Sequence, residues 1–143
     1  MPNRNSYWIV AVVFAVIIIL GFSNYWQNRG VSEDGLPRYA LKTSEVEAAY
    51  QYSLEDPEML DHIPCYCNCY RLGHENVREC FVKEVKDDGK VVFDEHGSNC
   101  GICYYTVLES KALLEEGRSF QEIRSYIDDK YSSYGRGTDT PMP

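Results

Sequence analysis

Pro64-Cys65-Tyr66-Cys67-Asn68-Cys69 is the stretch on which the reading of this chain turns. Three thiols in five residues are too dense for an ordinary helix or core strand, so an irregular Cys-x-Cys-x-Cys loop is expected. Alternate residues of an extended chain point to opposite sides, which strains any disulfide within the triplet. Thiolates two or three residues apart can instead converge on one soft metal ion, and soft sulfur selects Cu(I) or Zn(II). Cys80 follows alone, and Cys100 and Cys103 form a Cys-x-x-Cys. The triplet can also pair one by one with these three to make three disulfides, and the spacing selects no pairing.

Three histidines flank the cysteines: His62, His74 and His96. A lone histidine is more often a surface or capping residue than a ligand. As a group near six thiols they favour mixed sulfur–nitrogen ligation, with His74 and His96 the better placed. Cys100-Gly101-Ile102-Cys103 stands at an expected helix start, where the helix dipole lowers a thiol pKa as in thiol–disulfide oxidoreductases. The βαβ context of those enzymes is missing, and no nucleophile–base pair, phosphate loop or paired-carboxylate pattern stands out. The chain is therefore not read as an enzyme.

Outward from the cysteines the expected elements are mostly helical. Ser44 with Glu47 fits a capping box opening a helix to about Ser53. Asp56-Pro57 opens a second helix, which ends near His62 before Pro64. Glu75–Val82 is expected as a short helix carrying Cys80, Asp87-Asp88-Gly89 as a turn, and Lys90–Phe93 as a brief extended piece. Asn99 or Cys100 opens a helix to about Glu116, with Leu108, Ala112 and Leu113 on its core face and Gly117 as its stop. Ser119 and Glu122 form another capping box before an amphipathic helix marked by Phe120, Ile123, Ile127 and Tyr131.

The first residues read differently. Between Arg4 and Arg29 there is no charge, and Tyr7-Trp8 and Tyr25-Trp26 bracket an apolar run. A span needs about 20 apolar residues with aromatic belts at its ends. A cleaved signal peptide is the competing reading. The expected organisation is a tail over 1–4, a transmembrane anchor over 5–28, a linker over 29–43, a cysteine-rich domain over 44–131 and a disordered tail over 132–143. The slight positive-inside bias places the N-terminus in the cytoplasm, making a single-pass cell-membrane protein whose cysteine-rich domain is extracytoplasmic. The fold class is mainly α: one N-terminal transmembrane helix plus a small cysteine-rich helical domain.

The 143 residues carry 22 acidic and 14 basic side chains, a net charge of −8. That balance argues against nucleic acid, whose phosphates need a basic surface.

The sequence resembles the PCYCGC-motif proteins, a family of bacterial exported proteins or lipoproteins. The resemblance rests on Pro64 to Cys69, Gly73-His74, Cys80-Phe81-Val82, and His96 leading to Cys100-Gly101-Ile102-Cys103. It continues through Glu115-Glu116-Gly117 and Ile123 to Asp128, and covers about Glu45 to Tyr131. The motif's glycine is Asn68 here, which keeps every thiol but can alter the loop. Many relatives carry a lipid-anchoring cysteine where this chain has an apolar segment. The resemblance implies anchoring outside the cytoplasm and a cysteine pattern, without an activity.

The expected function is a membrane-anchored, extracytoplasmic metal-binding protein for storage, buffering or handover. Cu(I) is the leading ion and zinc the second, on Cys65, Cys67, Cys69, Cys80, Cys100 and Cys103 with His74 and His96. The expected partners are the membrane and a neighbouring membrane or exported protein. The alternative is a disulfide-stapled protein-interaction module, and a lesser one a thiol–disulfide oxidoreductase using Cys100 and Cys103.

Overall fold

The computed structural model describes residues 12–19 and 35–143. The chain divides into two units, Met1–Arg38 and Tyr39–Pro143. In the first, α1 covers 12–19, with its large apolar side chains exposed. Among the described residues no helix is long and apolar enough to cross a membrane. This corrects the expectation of a transmembrane helix and of a single-pass cell-membrane protein. The extracytoplasmic placement drawn from that span loses its support with it. The rest of the expected anchor, 5–11 and 20–28, lies outside the described residues.

The second unit is built on α2 (Ser44–Glu55), α3 (Pro57–Asp61), α4 (Gly101–Glu115) and α5 (Phe120–Tyr131). The cap of α2 is Thr43, whose hydroxyl accepts from the Val46 amide, so a single cap bond one residue earlier takes the place of the expected Ser44–Glu47 box. Asp56 caps α3 and Pro57 sits at its first position, as read from the sequence. At the end of α4, Gly117 takes φ +81° while its amide and that of Arg118 return to the Leu114 and Leu113 carbonyls. That is the Schellman stop which favours glycine. The Ser119–Glu122 box is complete.

Three differences shape the site. First, Val82–Val85 (β1) pairs antiparallel with Val91–Phe93 (β2), with an irregularity between Val82 and Glu84. The partner strand was not expected, because only Val82 of β1 is buried and the alternating apolar signal is nearly absent. Cys80 consequently rides on a short 3-10 turn, Arg78–Cys80, rather than a helix. Second, the buried face of α4 is Cys103, Thr106, Val107 and Ser110, rather than Leu108, Ala112 and Leu113. Cys103 must face the cysteine loop, which rotates the helix. The small Thr106 and Ser110 are fully buried in α4, as are Ala49 and Ser53 in α2, the helix it packs against. Small side chains let the two axes approach closely.

Third, the stretch 132–143 is held in place rather than disordered. Thr138 donates its amide to the Cys65 carbonyl (3.0 Å) and its hydroxyl accepts from the Cys65 amide (2.9 Å). The Thr140 hydroxyl donates to the Glu75 carbonyl. Arg124, almost fully buried, donates to the carbonyls of His62, Thr140 and Pro141 and to both carboxylate oxygens of Asp128. Polar tail composition hid these partners, since each bond that holds the tail joins residues distant in sequence.

Candidate metal centre

Three segments carry the sulfurs, and hydrogen bonds fix each of them. The loop 63–65 lies between two others: the Val77 amide donates to the Ile63 carbonyl, and Thr138 clasps Cys65 on the other side. Asn68 sits in the left-handed region at φ +65°, ψ +20°. This is the conformation that a glycine takes freely and that asparagine tolerates best among the other residues. The departure from the motif's glycine therefore keeps the loop's turn. The Tyr66 hydroxyl donates to Asp128 Oδ1 at 2.7 Å, tying the loop to α5. Cys80 is placed by a turn that Asn76 opens, its side chain accepting from the Glu79 amide.

His96 begins a 3-10 turn that runs through Asn99 into Cys100, the N-cap of α4. Gly97 within it permits the close approach: a Cβ there would lie 2.5 Å from the Phe81 ring and 2.8 Å from the Cys80 carbonyl. Phe81 is in turn held edge-on by Tyr50, centroids 5.0 Å apart. Tyr50 donates its hydroxyl to the Asp94 carbonyl at 2.5 Å.

The six sulfurs and two imidazoles converge. Cys65 Sγ is 3.2 Å from Cys67 Sγ and 3.5 Å from Cys103 Sγ, and Cys67 and Cys103 are 3.4 Å apart. His96 Nε2 is 3.2 Å from Cys67 Sγ. On the other side Cys80 Sγ is 3.7 Å from Cys69 Sγ and 3.5 Å from His74 Nδ1. Four overlapping groups have all their donor atoms within 4.8 Å of one another. They are Cys67-His96-Cys100-Cys103, Cys65-Cys67-Cys69, Cys65-Cys80-Cys103 and Cys69-His74-Cys80. These clusters can hold a metal ion. A tetrahedral ion with sulfur at about 2.3 Å needs sulfurs roughly 3.8 Å apart, so the observed separations fit after opening by a few tenths of an ångström. His62 joins none of them; its Nδ1 is buried without a hydrogen-bond partner and its carbonyl accepts from Arg124.

Asp94 was not singled out from the sequence. Its Oδ1 accepts from the His96 amide at 2.7 Å, and its Oδ2 stands 3.9 Å from His74 Nε2, the nitrogen opposite the one facing sulfur. A carboxylate behind a ligating imidazole fixes the ring and raises its basicity. The signal was available in Asp94-Glu95-His96, an aspartate able to bond the amide two residues on.

Proton sharing divides the thiols. Hydrogen bonding from Cys103 draws the Cys65 thiol down to about 4, and bonding from Cys100 and Cys103 draws Cys67 down. The protons are kept on the partners: Cys103 is pushed up chiefly by Cys100, Cys80 by Cys103 and Cys69 by Cys65. Negative charge thus gathers on Cys65 and Cys67.

A family model described as a protein of unknown function with PCYCGC motif matches residues 23–143. No curated protein and no solved structure matches the chain.

Proposed function

The chain belongs to the PCYCGC-motif family, and we propose that it is a non-catalytic metal-binding module that stores, buffers or hands over a thiophilic ion. Cu(I) is the leading ion and zinc the second. The observation that carries this reading is the convergence of six thiols and two imidazole nitrogens into one connected set. The hard-oxygen ions are disfavoured because the donors are sulfur and imidazole. Shared sulfurs between overlapping triads suit Cu(I), which accepts bridging thiolates, while the Cys67-Cys100-Cys103-His96 quartet matches a common zinc set.

The geometry speaks against the redox alternative. That alternative needs an accessible thiolate in the Cys-x-x-Cys; of that pair Cys103 is fully buried and the partly exposed Cys100 is held above its ordinary value, while the partly exposed thiol that is drawn down is Cys67, outside the pair. It speaks less directly against disulfide staples: all six cysteines are free and their sulfurs stand 3.2–3.7 Å apart, against about 2.05 Å for a bond. Cys67, Cys100 and His96 form the accessible edge, the side on which a partner's thiols would take the ion by ligand exchange.

The test is Cu(I) titration of the reduced apoprotein in competition with a chromophoric Cu(I) chelator. Withdrawal of copper from the chelator, with thiolate-to-copper charge-transfer absorption lost in a Cys67→Ser/Cys103→Ser variant, is expected. No competition with copper, and none with zinc in the parallel titration, would overturn the reading.

A further inference from the structure

We infer that the cluster is not one pool of thiols but two unequal metal positions joined through Cys65. The inference rests on the metal-binding reading above and adds its stoichiometry and internal order. The eight donors divide without remainder. Cys67, Cys100, Cys103 and His96 form a mutually close quartet. The other four are Cys65, Cys69, Cys80 and His74. Cys69, His74 and Cys80 are mutually close, and Cys65 lies close to Cys69 in one triad and to Cys80 in another. Each set counts three sulfurs and one imidazole, the number of donors a tetrahedral ion takes; in the second, Cys65 and His74 are linked only through Cys69 and Cys80.

Two observations show that the sets are distinct and connected. Each histidine falls in one set only, and their rings meet edge to face with centroids 5.7 Å apart, so neither serves the other's sulfurs. Cys65 is the exception: it completes the second set while its sulfur stands 3.2 and 3.5 Å from Cys67 and Cys103 of the first. That is the placement of a bridging thiolate. Asp94 braces both sets, through the His96 amide and the outer nitrogen of His74.

The positions differ in access. In the first, Cys67, Cys100 and His96 are all partly exposed and only Cys103 is buried. In the second, Cys65, Cys69 and Cys80 are all at most 1% exposed, and only His74 reaches a cleft lined by Leu72, Gly73, Glu79, Lys83 and Asp94. The first position therefore exchanges its ion and the second retains it.

Cadmium reports on this division, since it takes thiolate sites and its NMR signal resolves each one. Reduced apoprotein loaded with 113Cd is expected to bind two equivalents and give two resonances, scalar-coupled through the shared Cys65 sulfur. Cys100→Ser should remove or shift one resonance only, His74→Ala the other only, and Cys65→Ser both. A chelator should take one of the two equivalents first, halving the bound metal. A single equivalent, or two resonances that Cys100→Ser abolishes together, would overturn the two-position inference while leaving metal binding intact. No cadmium bound at all would instead overturn the metal-binding reading beneath it. His74 lies on a cleft edge, so His74→Ala keeps the test open if a buried cysteine variant fails to fold.

Discussion

Adding one methyl group at Gly97 should damage both the core and the metal centre. The new Cβ would sit 2.5 Å from two carbons of the Phe81 ring and 2.8 Å from the Cys80 carbonyl. Carbon–carbon contact is comfortable at about 3.5–4.0 Å, so the overlap is about an ångström. Phe81 has no room to retreat, being fully buried against Tyr50. The alternative is for the 96–99 turn to move outward, withdrawing His96 from Cys67, now 3.2 Å away, and shifting Cys100 with it. Overpacking of this kind costs about 1–3 kcal/mol. For a domain near 100 residues each kcal/mol lowers Tm by about 4–8 °C, so Gly97→Ala should melt roughly 5–20 °C lower. Thermal unfolding followed by circular dichroism, alongside a cadmium titration, reads both effects. Gly89→Ala is the control: Gly89 has a positive φ, which Gly97 lacks, but nothing within 4 Å of its Cβ. It should lose about 1 kcal/mol to backbone strain and keep full metal affinity. A Gly97→Ala protein with unchanged Tm and unchanged cadmium affinity would refute this account of the turn.

Asp94→Asn keeps the shape but removes the charge behind His74, and should weaken metal affinity about 10–100-fold in chelator competition with little change in fold. Metal uptake should strengthen with pH, because ions must expel the protons held on Cys69, Cys80 and Cys103. Between about pH 6 and pH 8 the apparent affinity should rise on the order of 100-fold for each proton displaced, with matching proton release in unbuffered titration; a flat profile would contradict the proton-sharing scheme. Arg124→Met removes the donor that three carbonyls and Asp128 share. It should cost about 1–3 kcal/mol and expose residues 138–143 to limited proteolysis. Asn68→Gly should be neutral to within about 1 kcal/mol, since the left-handed turn at φ +65° suits either residue.

What the sequence disclosed follows the range of the interactions. Caps and stops are local, so Asp56-Pro57, Gly117 and the Ser119–Glu122 box could be read at sight. The site's donors could also be read, because thiol chemistry restricts what six clustered cysteines do. The arrangement into two sets could not: Cys65 meets Cys103 across 38 residues, and His96 meets Cys67 across 29. The α4 face was misread for the same reason. Leucine periodicity pointed to Leu108 and Leu113, but Cys103 facing the cluster decided the helix's rotation, and threonine and serine packed where leucine was expected. The apolar run near the N-terminus has the composition of a span, yet among the described residues no helix is long and apolar enough to cross a membrane. Thr138 and Arg124 act on the Cys65 amide and the His62 carbonyl, partners that no short window contains, whereas the Asp94 bond to the His96 amide spans two residues and could have been read.

The central claim is that the six cysteines serve as metal ligands. It is met most directly by native mass spectrometry with elemental analysis and thiol counting on protein purified without added oxidant. Six free thiols with metal that leaves on acidification are the result predicted. Three disulfides and no metal would contradict it.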